Sequence, residues 1–399
     1  MLRFIPPAGS PISFSQILRA LRTSIGARRG KENGLAQIRS WLGAQFIFGV
    51  SSGRAGLWLV LKALQSLRPE RSVVALPAYT CFTVAAAIVR AGLKLYPIDI
   101  NPETLDFDFA ELSNVPQEKM LCILTSNLFG LVNDVTRARE IARSKGVFVV
   151  DDAAQALGAT RNGYSAGTSG DVGLYSLGRG KAIAALEGGI IVTNSTKVAS
   201  AVQAEVEQLS ATSSAHTVSL FIQMLGYSTL LDPRLYWIPN SLPFLKLGMT
   251  EFDPGFRATR ASFLSDALLS QLFEGFGEVS RVRRENAAVL AEAFSSNQNF
   301  STPRPAPNSR PSYIRFPLIA RDGSLRDRAL ARLREAGIGA TAFYPSAICD
   351  IPAISEHMAL NDFHRPKAED LSRRILTLPT HHFVRPQDLK RMIEVLKGL

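Results

Sequence analysis

The 399-residue chain is poor in the residues that build metal centres and disulfide frameworks. It has three cysteines, Cys81, Cys122 and Cys349, and five histidines. The cysteines are odd in number and far apart, so they offer neither a disulfide framework nor a zinc-ligand spacing. A reducing cytoplasm is the expected setting. Long apolar runs are also missing. The cleanest, Val218–Leu231, falls short of the ~20 residues a helix needs to cross a bilayer. The opening MLRFIPPAGSPISF has no apolar stretch ahead of a small-residue cleavage site, and no secretory signal is expected. Acidic residues are scarcest at the start. Residues 1–40 carry Arg3, Arg19, Arg22, Arg28, Arg29, Lys31 and Arg39 against Glu32 alone. This asymmetry points either to an anionic partner (phosphates, a membrane surface or nucleic acid) or to a solvated basic face.

Hydrophobic residues make up 46% of the chain and charged residues 20%, which suits a soluble globular protein with room for two domains. From about residue 45 to 195, apolar runs alternate with helical patterns. FIFGV, SVVALPA, KLYPIDI, MLCILTSN, GVFVVDDA, ALGAT, GDVGLYSL and GGIIVTN read as strands, with helices expected over Arg54–Leu67 and Phe82–Ala91. That alternation implies a mostly parallel sheet covered on both faces, with ligands at the carboxyl ends of its strands. Beyond residue 276 the pattern becomes helix Val279–Ala293, strand YIRFPLI, helix Leu325–Ala336, strand ATAFYP, and helices near Lys367–Leu376 and Pro386–Leu396. The expected division is a basic arm over 1–33, a large domain over 34–275 and a small α+β domain over 276–399.

Three segments of the large domain carry chemistry. In VSSGRAGLWLVL a strand ends at a small turn, Ser51-Ser52-Gly53, and a helix begins. Its free amides and positive dipole end suit an anion, although such turns are most often simple caps. In VFVVDDAAQALGA, Asp151 and Asp152 close a buried strand, where an ionised carboxylate needs a cation or a capping role. In GDVGLYSLGRGKAIAALEGG, Lys181 lies among Gly178, Gly180, Ala182, Ala184 and Ala185, which leave room for a ligand. A partly desolvated amine there would be more nucleophilic, whereas a lone lysine is by default a surface residue. An anion cup, a carboxylate and an amine are what pyridoxal 5′-phosphate (PLP) demands for its phosphate, its ring nitrogen and its aldehyde.

In this order the segments resemble the DegT/DnrJ/StrS family of PLP-dependent aminotransferases, which act mostly on nucleotide-linked keto sugars. The family pattern reads roughly EDAAQA-x-GA, then FSF-x₃-K-x₅-EGG. The resemblance implies Asp152 at the pyridine nitrogen, Gln155 near the ring hydroxyl, Ser176 with Ser52 and Gly53 at the phosphate, and Lys181 as the Schiff-base lysine. The chain departs from the pattern in places. Arg54 stands where the family has Thr. The ring-stacking aromatic falls on Cys81, with Phe82 beside it. Gly178 replaces a common His or Asn. GFRAT around Arg257 replaces the NYR motif of the partner subunit, and YPSAICD lacks the His common after YPP. Arg54 and Arg257 are therefore candidates to hold the phosphate. The implied fold is PLP-dependent transferase fold type I: a large, mostly parallel seven-stranded-sheet domain plus a small C-terminal domain, in a homodimer. The implied reaction moves an amino group from an amino acid, with glutamate the expected donor, to a carbonyl acceptor. Lysine at position 181 argues against the family's sugar dehydratases, in which histidine takes that place.

Residues 216–250, HTVSLFIQMLGYSTLLDPRLYWIPNSLPFLKLGMT, are an apolar, aromatic, Pro-broken insert where the family has a modest connection. In ISFSQILRALRTSIGARR, Phe14, Ile17, Leu18, Leu21 and Ile25 share one helical face. Two settings are open for these segments: an anionic membrane surface, with the protein peripheral on its inner face, or a dimer interface or lid. No nucleic acid is expected. The rival functions are other PLP chemistry on a lipid-like substrate and a non-catalytic binding protein on this scaffold.

Overall fold

The computed structural model describes residues 3–25, 34–116, 118–143, 146–242 and 250–399. The elements, in chain order, begin with α1 (Phe14–Ile25), α2 (Gly34–Leu42), β1 (Phe46–Val50) and α3 (Gly53–Leu67). Next come β2 (Val73–Pro77), α4 (Phe82–Arg90), β3 (Lys94–Ile98), β4 (Met120–Ser126) and α5 (Val135–Arg143). The large domain continues with β5 (Phe148–Asp152), β6 (Val172–Ser176), β7 (Gly189–Thr193), α6 (Thr196–Glu207), α7 (Ser214–Leu230) and α8 (Phe263–Phe273). Seven strands form one sheet in the order β1-β7-β6-β5-β4-β2-β3. Strand β7 runs antiparallel to both of its neighbours, and the remaining pairs, β6 with β5, β5 with β4, β4 with β2 and β2 with β3, are parallel.

Alternation along the strands sorts their side chains onto two covered faces. Val74, Leu76, Cys122, Leu124, Val150 and Leu174 pack with apolar residues of α3, α4 and α6. Val73, Ala75, Ile123 and Val149 pack with α5, and Tyr175, Ile190 and Val192 with α1 and α8. The same parity places Asp152 and Ser176 toward α3 and α4, and Asp151 toward the opposite face.

The C-terminal part contains α9 (Phe276–Phe294), β8 (Phe300–Ser301), β9 (Phe316–Ala320), α10 (Gly323–Glu335), α11 (Pro366–Arg374), β10 (Ile375–Leu378) and α12 (Pro386–Lys397). Strands β8, β9 and β10 form a separate antiparallel sheet with its own apolar core. Three expectations are corrected. ALGAT is not a strand over Ala156–Ala159 but a run of turns, closed by hydrogen bonds from Ala156 N to Ala153 O and from Ala159 N to Ala156 O, both 2.9 Å, and only Thr160 enters a short strand, Thr160–Arg161. ATAFYP is a bend that makes only an isolated bridge, Thr341 with Thr377. Ile375 and Leu376, read as the end of the helix near Lys367–Leu376, open a strand over Ile375–Leu378. On α1 the buried stripe is Ile17, Ala20 and Ser24, while Phe14 and Ile25 are exposed.

Candidate active site

A cavity of ≈ 220 Å³ lies at the carboxyl ends of β1, β4, β5 and β6, and its lining gathers most of the residues singled out above. Each arrives there for a local reason. Ser52 caps α3 by accepting from Ala55 N at 3.2 Å, so the first turn of the helix points its free amides at the cavity. Gly53 lets that turn approach β6 closely: a Cβ there would lie 2.9 Å from Cβ of Ser176. Ser176 ends β6 and Ser126 ends β4, and both line the cavity.

The two aspartates have separate surroundings. Asp151 is fully buried, and its Oδ1 accepts from Asn127 Nδ2 at 2.8 Å and Thr125 Oγ1 at 3.3 Å. Its Oδ2 accepts from Gly167 N at 2.8 Å and Ser169 N at 3.4 Å. It ties the 165–170 loop to the sheet. Asp152 lines the cavity, and its Oδ1 accepts from Ala154 N at 2.9 Å. Burial pushes Asp152 up to about 6, against the Ala154 amide and the charge of Lys181, which favour the carboxylate.

Lys181 sits in the loop between β6 and the antiparallel β7. Its backbone is held from both sides, with N–H donating to Gly178 O at 3.2 Å and the carbonyl accepting from Ser10 Oγ at 2.9 Å and Arg283 Nη2 at 3.4 Å. Burial lowers the amine's pKa, while Cys81 and Asp152 oppose that shift and Arg315 adds to it. An amine less protonated than a surface lysine is what a nucleophile at this position requires.

Gln155 is fixed at both ends: Oε1 accepts from Phe129 N at 3.0 Å and Nε2 donates to the Tyr344 hydroxyl at 2.9 Å. Cys81 lines the cavity, with Sγ 3.0 Å from Thr83 Oγ1. Arg54 lines it too. Its guanidinium lies 3.9 Å from the Asp253 carboxylate and 5.1 Å from the Phe256 ring centroid. Two expected residues are not brought in. Phe82 is buried in the core, tilted against Tyr344 at 5.8 Å, and does not line the cavity. Arg257 is exposed and does not line this cavity or the one beside it.

Sequence reasoning missed Tyr344, Asn127 and Thr250, which line the cavity, and Arg315, which lines the next one. Only Tyr344 carried a signal, as the aromatic of YPSAICD. A second cavity of ≈ 470 Å³ adjoins the first and shares Cys81, Gln155, Lys181, Thr250 and Tyr344 with it. Gln223, Tyr227, Leu231, Tyr236 and Pro239 form one wall, so the apolar insert shapes the mouth of the site. Among the described residues no group of three or more His, Cys, Asp or Glu could hold a metal ion.

The donor set fits PLP: small residues and helix amides for a phosphate, a buried carboxylate that gains from a cation, and an amine of lowered pKa. Fold and site together are those of a PLP-dependent transferase of fold type I. The chain belongs to the DegT/DnrJ/EryC1/StrS aminotransferase family, whose model matches residues 28–397. It is 24% identical over 365 residues (91% of this chain, 86% of the relative) to UDP-N-acetyl-3-dehydro-alpha-D-glucosamine 3-aminotransferase of Acidithiobacillus ferrooxidans. It is 27% identical over 306 residues (75% and 72%) to GDP-4-keto-6-deoxy-D-mannose 3-dehydratase of Yersinia pseudotuberculosis. In fold it resembles the sugar aminotransferase CalS13 of Micromonospora echinospora, with a TM-score of 0.77, 21% identity and 100% of each chain covered.

Proposed function

We propose that this chain is a PLP-dependent aminotransferase that takes an amino group from an amino acid, glutamate being the expected donor, and gives it to a keto group of a nucleotide-linked sugar or related carbonyl acceptor. The observation that carries the reading is the placement of Lys181, Asp152 and the Ser52-Gly53-Ser176 cup around one cavity that opens into a second. The sugar aminotransferase among its relatives supports the acceptor class. Lysine at position 181 favours amino transfer over the dehydration named for the Yersinia relative.

Bound PLP supplies an aldehyde that takes up an amino group and a ring that accepts the electrons left behind when a Cα proton departs. The side chains divide the remaining work. Ser52, Ser176 and the first amides of α3 hold the phosphate, with Arg54 at the edge of the cup. Asp152 keeps the ring nitrogen protonated, and a cation there relieves the cost of burying its carboxylate. Gln155, held rigid by Phe129 N and Tyr344, would serve the ring hydroxyl. Cys81 lines the cavity at the position where the family has an aromatic. Lys181 would hold the cofactor's aldehyde, and its free amine would move the proton at the substrate carbon as base and then acid. The exposed Arg257 serves the partner's site in a homodimer.

A single-turnover experiment tests this reading. The PLP-loaded protein mixed with L-glutamate and no acceptor should form about one equivalent of 2-oxoglutarate per cofactor, and no release from any amino acid would refute amino transfer. A membrane setting is the second reading, because Val218, Ile222 and Trp237 of the insert are 59%, 62% and 52% exposed. No helix among the described residues is long and apolar enough to cross a bilayer. Two of the arm's arginines are already engaged, Arg3 with Asp388 and Arg19 with Gln271, which favours a subunit contact over lipid phosphates. Arg28, Arg29 and Lys31 of the arm lie outside the described residues.

A further inference from the structure

One buried cation faces the second cavity and not the first. Arg315 precedes β9, is 6% exposed and lines the larger cavity. Its Nη1 donates to Thr341 Oγ1 at 2.8 Å, and its guanidinium carbon lies 4.5 Å from the centroid of the Phe343 ring. These contacts orient the guanidinium without neutralising it. Burial draws its pKa down to about 10, and the titratable groups that oppose the shift are the hydroxyls of Tyr344 and Tyr236, which are themselves uncharged near neutral pH. No carboxylate among the described residues forms an ion pair with it. A buried guanidinium without a carboxylate is costly to keep, and a bound anion removes that cost. The position is close to the reactive lysine. A Cβ on Gly180, the residue before Lys181, would lie 3.8 Å from Nη2 of Arg315, and the arginine's charge reaches the Lys181 amine.

We propose that Arg315 binds the α-carboxylate of the amino donor. The proposal rests on the aminotransferase reading above and deepens it. An α-amino acid carries its carboxylate on the same carbon as its amino group. A site that receives the nitrogen at Lys181 therefore meets a carboxylate one carbon away. A planar guanidinium matches that group with two parallel N–H···O bonds. The phosphate cup lies in the other cavity, so Arg315 is not needed there. Tyr227, Leu231 and Tyr236 line the same space, and the low-polarity surface they bring beside the buried guanidinium strengthens its attraction for an anion. Arg179 also lines this cavity, but it is exposed and donates to Gln223 Oε1 at 2.6 Å, so its charge is solvated and partly engaged.

The test compares L-glutamate with γ-aminobutyrate, which has an amine and a carboxylate but nothing at the α position. Each is mixed with PLP-loaded protein, and the half-saturating concentration is read from the change in visible absorption. Arg315→Met should raise that concentration for glutamate by about 10–100-fold, the worth of a charge-assisted pair. It should leave the value for γ-aminobutyrate, and the affinity of the cofactor-free protein for PLP, within about threefold. An unchanged value for glutamate, or an equal rise for both amines, overturns the proposal. Should Arg315→Met fail to fold, Arg315→Lys keeps the charge and loses the fork, and it must still weaken glutamate selectively. A protein that takes up PLP yet shows no preference for the α-carboxylate overturns this proposal alone. A wild type that takes up no PLP overturns the aminotransferase reading and this proposal with it.

Discussion

Asp151 and Asp152 are consecutive on β5 and look in opposite directions: Asp151 accepts from Gly167 N at 2.8 Å behind the sheet, while Asp152 lines the cavity in front. The strand's two-residue period makes one a structural anchor and leaves the other available to a ligand. Asp152→Asn should therefore cost several orders of magnitude in rate, and Asp151→Asn should cost stability first. Whichever oxygen of Asp151→Asn becomes NH₂, it would face donors, either Asn127 Nδ2 on one side or the amides of Gly167 and Ser169 on the other, at about 1–3 kcal/mol. Rates and thermal unfolding of both variants check this, and near-normal turnover in Asp152→Asn with loss in Asp151→Asn would reverse the assignment.

A pH effect follows in the cofactor-free protein. The folded pKa of Asp152 lies near 6, above the ordinary 3.8. A carboxyl raised on folding contributes stability that is present below its unfolded pKa and lost as pH rises through the folded one. The cofactor-free wild type should lose up to about 3 kcal/mol between pH 4 and 6 from this group. Asp152→Asn should flatten that slope and unfold at a higher temperature at pH 7.5, although it is inactive. A less stable Asp152→Asn at that pH would show that the carboxylate is already compensated.

Much of this site was legible in the sequence because each piece is local. The Ser52-Gly53 turn, the Asp152–Gln155 spacing and the Ser176–Lys181 spacing each fall on one strand end and one loop. What was not legible depends on distant contacts. ATAFYP has the composition of a strand, yet it bends so that the Tyr79 hydroxyl meets the Phe343 carbonyl and the Phe343 and Tyr344 rings stack at 4.3 Å. Strand β10 follows α11 with no glycine or proline between them, so its start left no mark. Arg315 reads as an ordinary arginine until the fold buries it.

Lys181→Ala should purify without the visible absorption of bound PLP and without an adduct that borohydride can reduce. The loop's backbone is held through Ser10, Arg283 and Gly178, so losing the side chain should leave the fold intact. A reducible adduct in Lys181→Ala would mean that another amine anchors the cofactor.

Gly53→Ala tests the phosphate cup. The added Cβ would meet Cβ of Ser176 at 2.9 Å and Oγ at 3.2 Å, so the turn or the strand end must shift. Overpacking of this kind costs about 1–3 kcal/mol. PLP affinity should fall by at least about tenfold, since the amides that face the phosphate lie on the same turn. Unchanged affinity on titration of the cofactor-free variant would place the phosphate elsewhere.

The last prediction concerns the exposed apolar strip of the insert. Helix α7 buries Leu220 and Met224 and presents Val218 and Ile222 outward, while α1 packs beside it with Phe14 exposed. A face with one apolar side in the core and another in solvent is completed by a second body. The basic arm would favour anionic lipid if its charge were free, at about 1 kcal/mol per side chain near the surface. Arg3, however, is held by both oxygens of Asp388 at 2.5 and 2.7 Å, and Arg19 by Gln271 at 2.7 Å. Of the side chains suited to a test of this strip, Phe244 lies outside the described residues, so the variant changes Val218 and Ile222 to Ser. Wild type should sediment as a dimer and stay in solution with anionic vesicles at low salt. The double variant should shift toward monomer and, if Arg257 serves a partner's site as proposed, lose activity with dilution. Flotation of the wild type with anionic vesicles, abolished by the same two changes while the dimer persists, would transfer the strip from the subunit contact to the membrane. The acceptor would then be sought among lipid-linked carbonyl compounds.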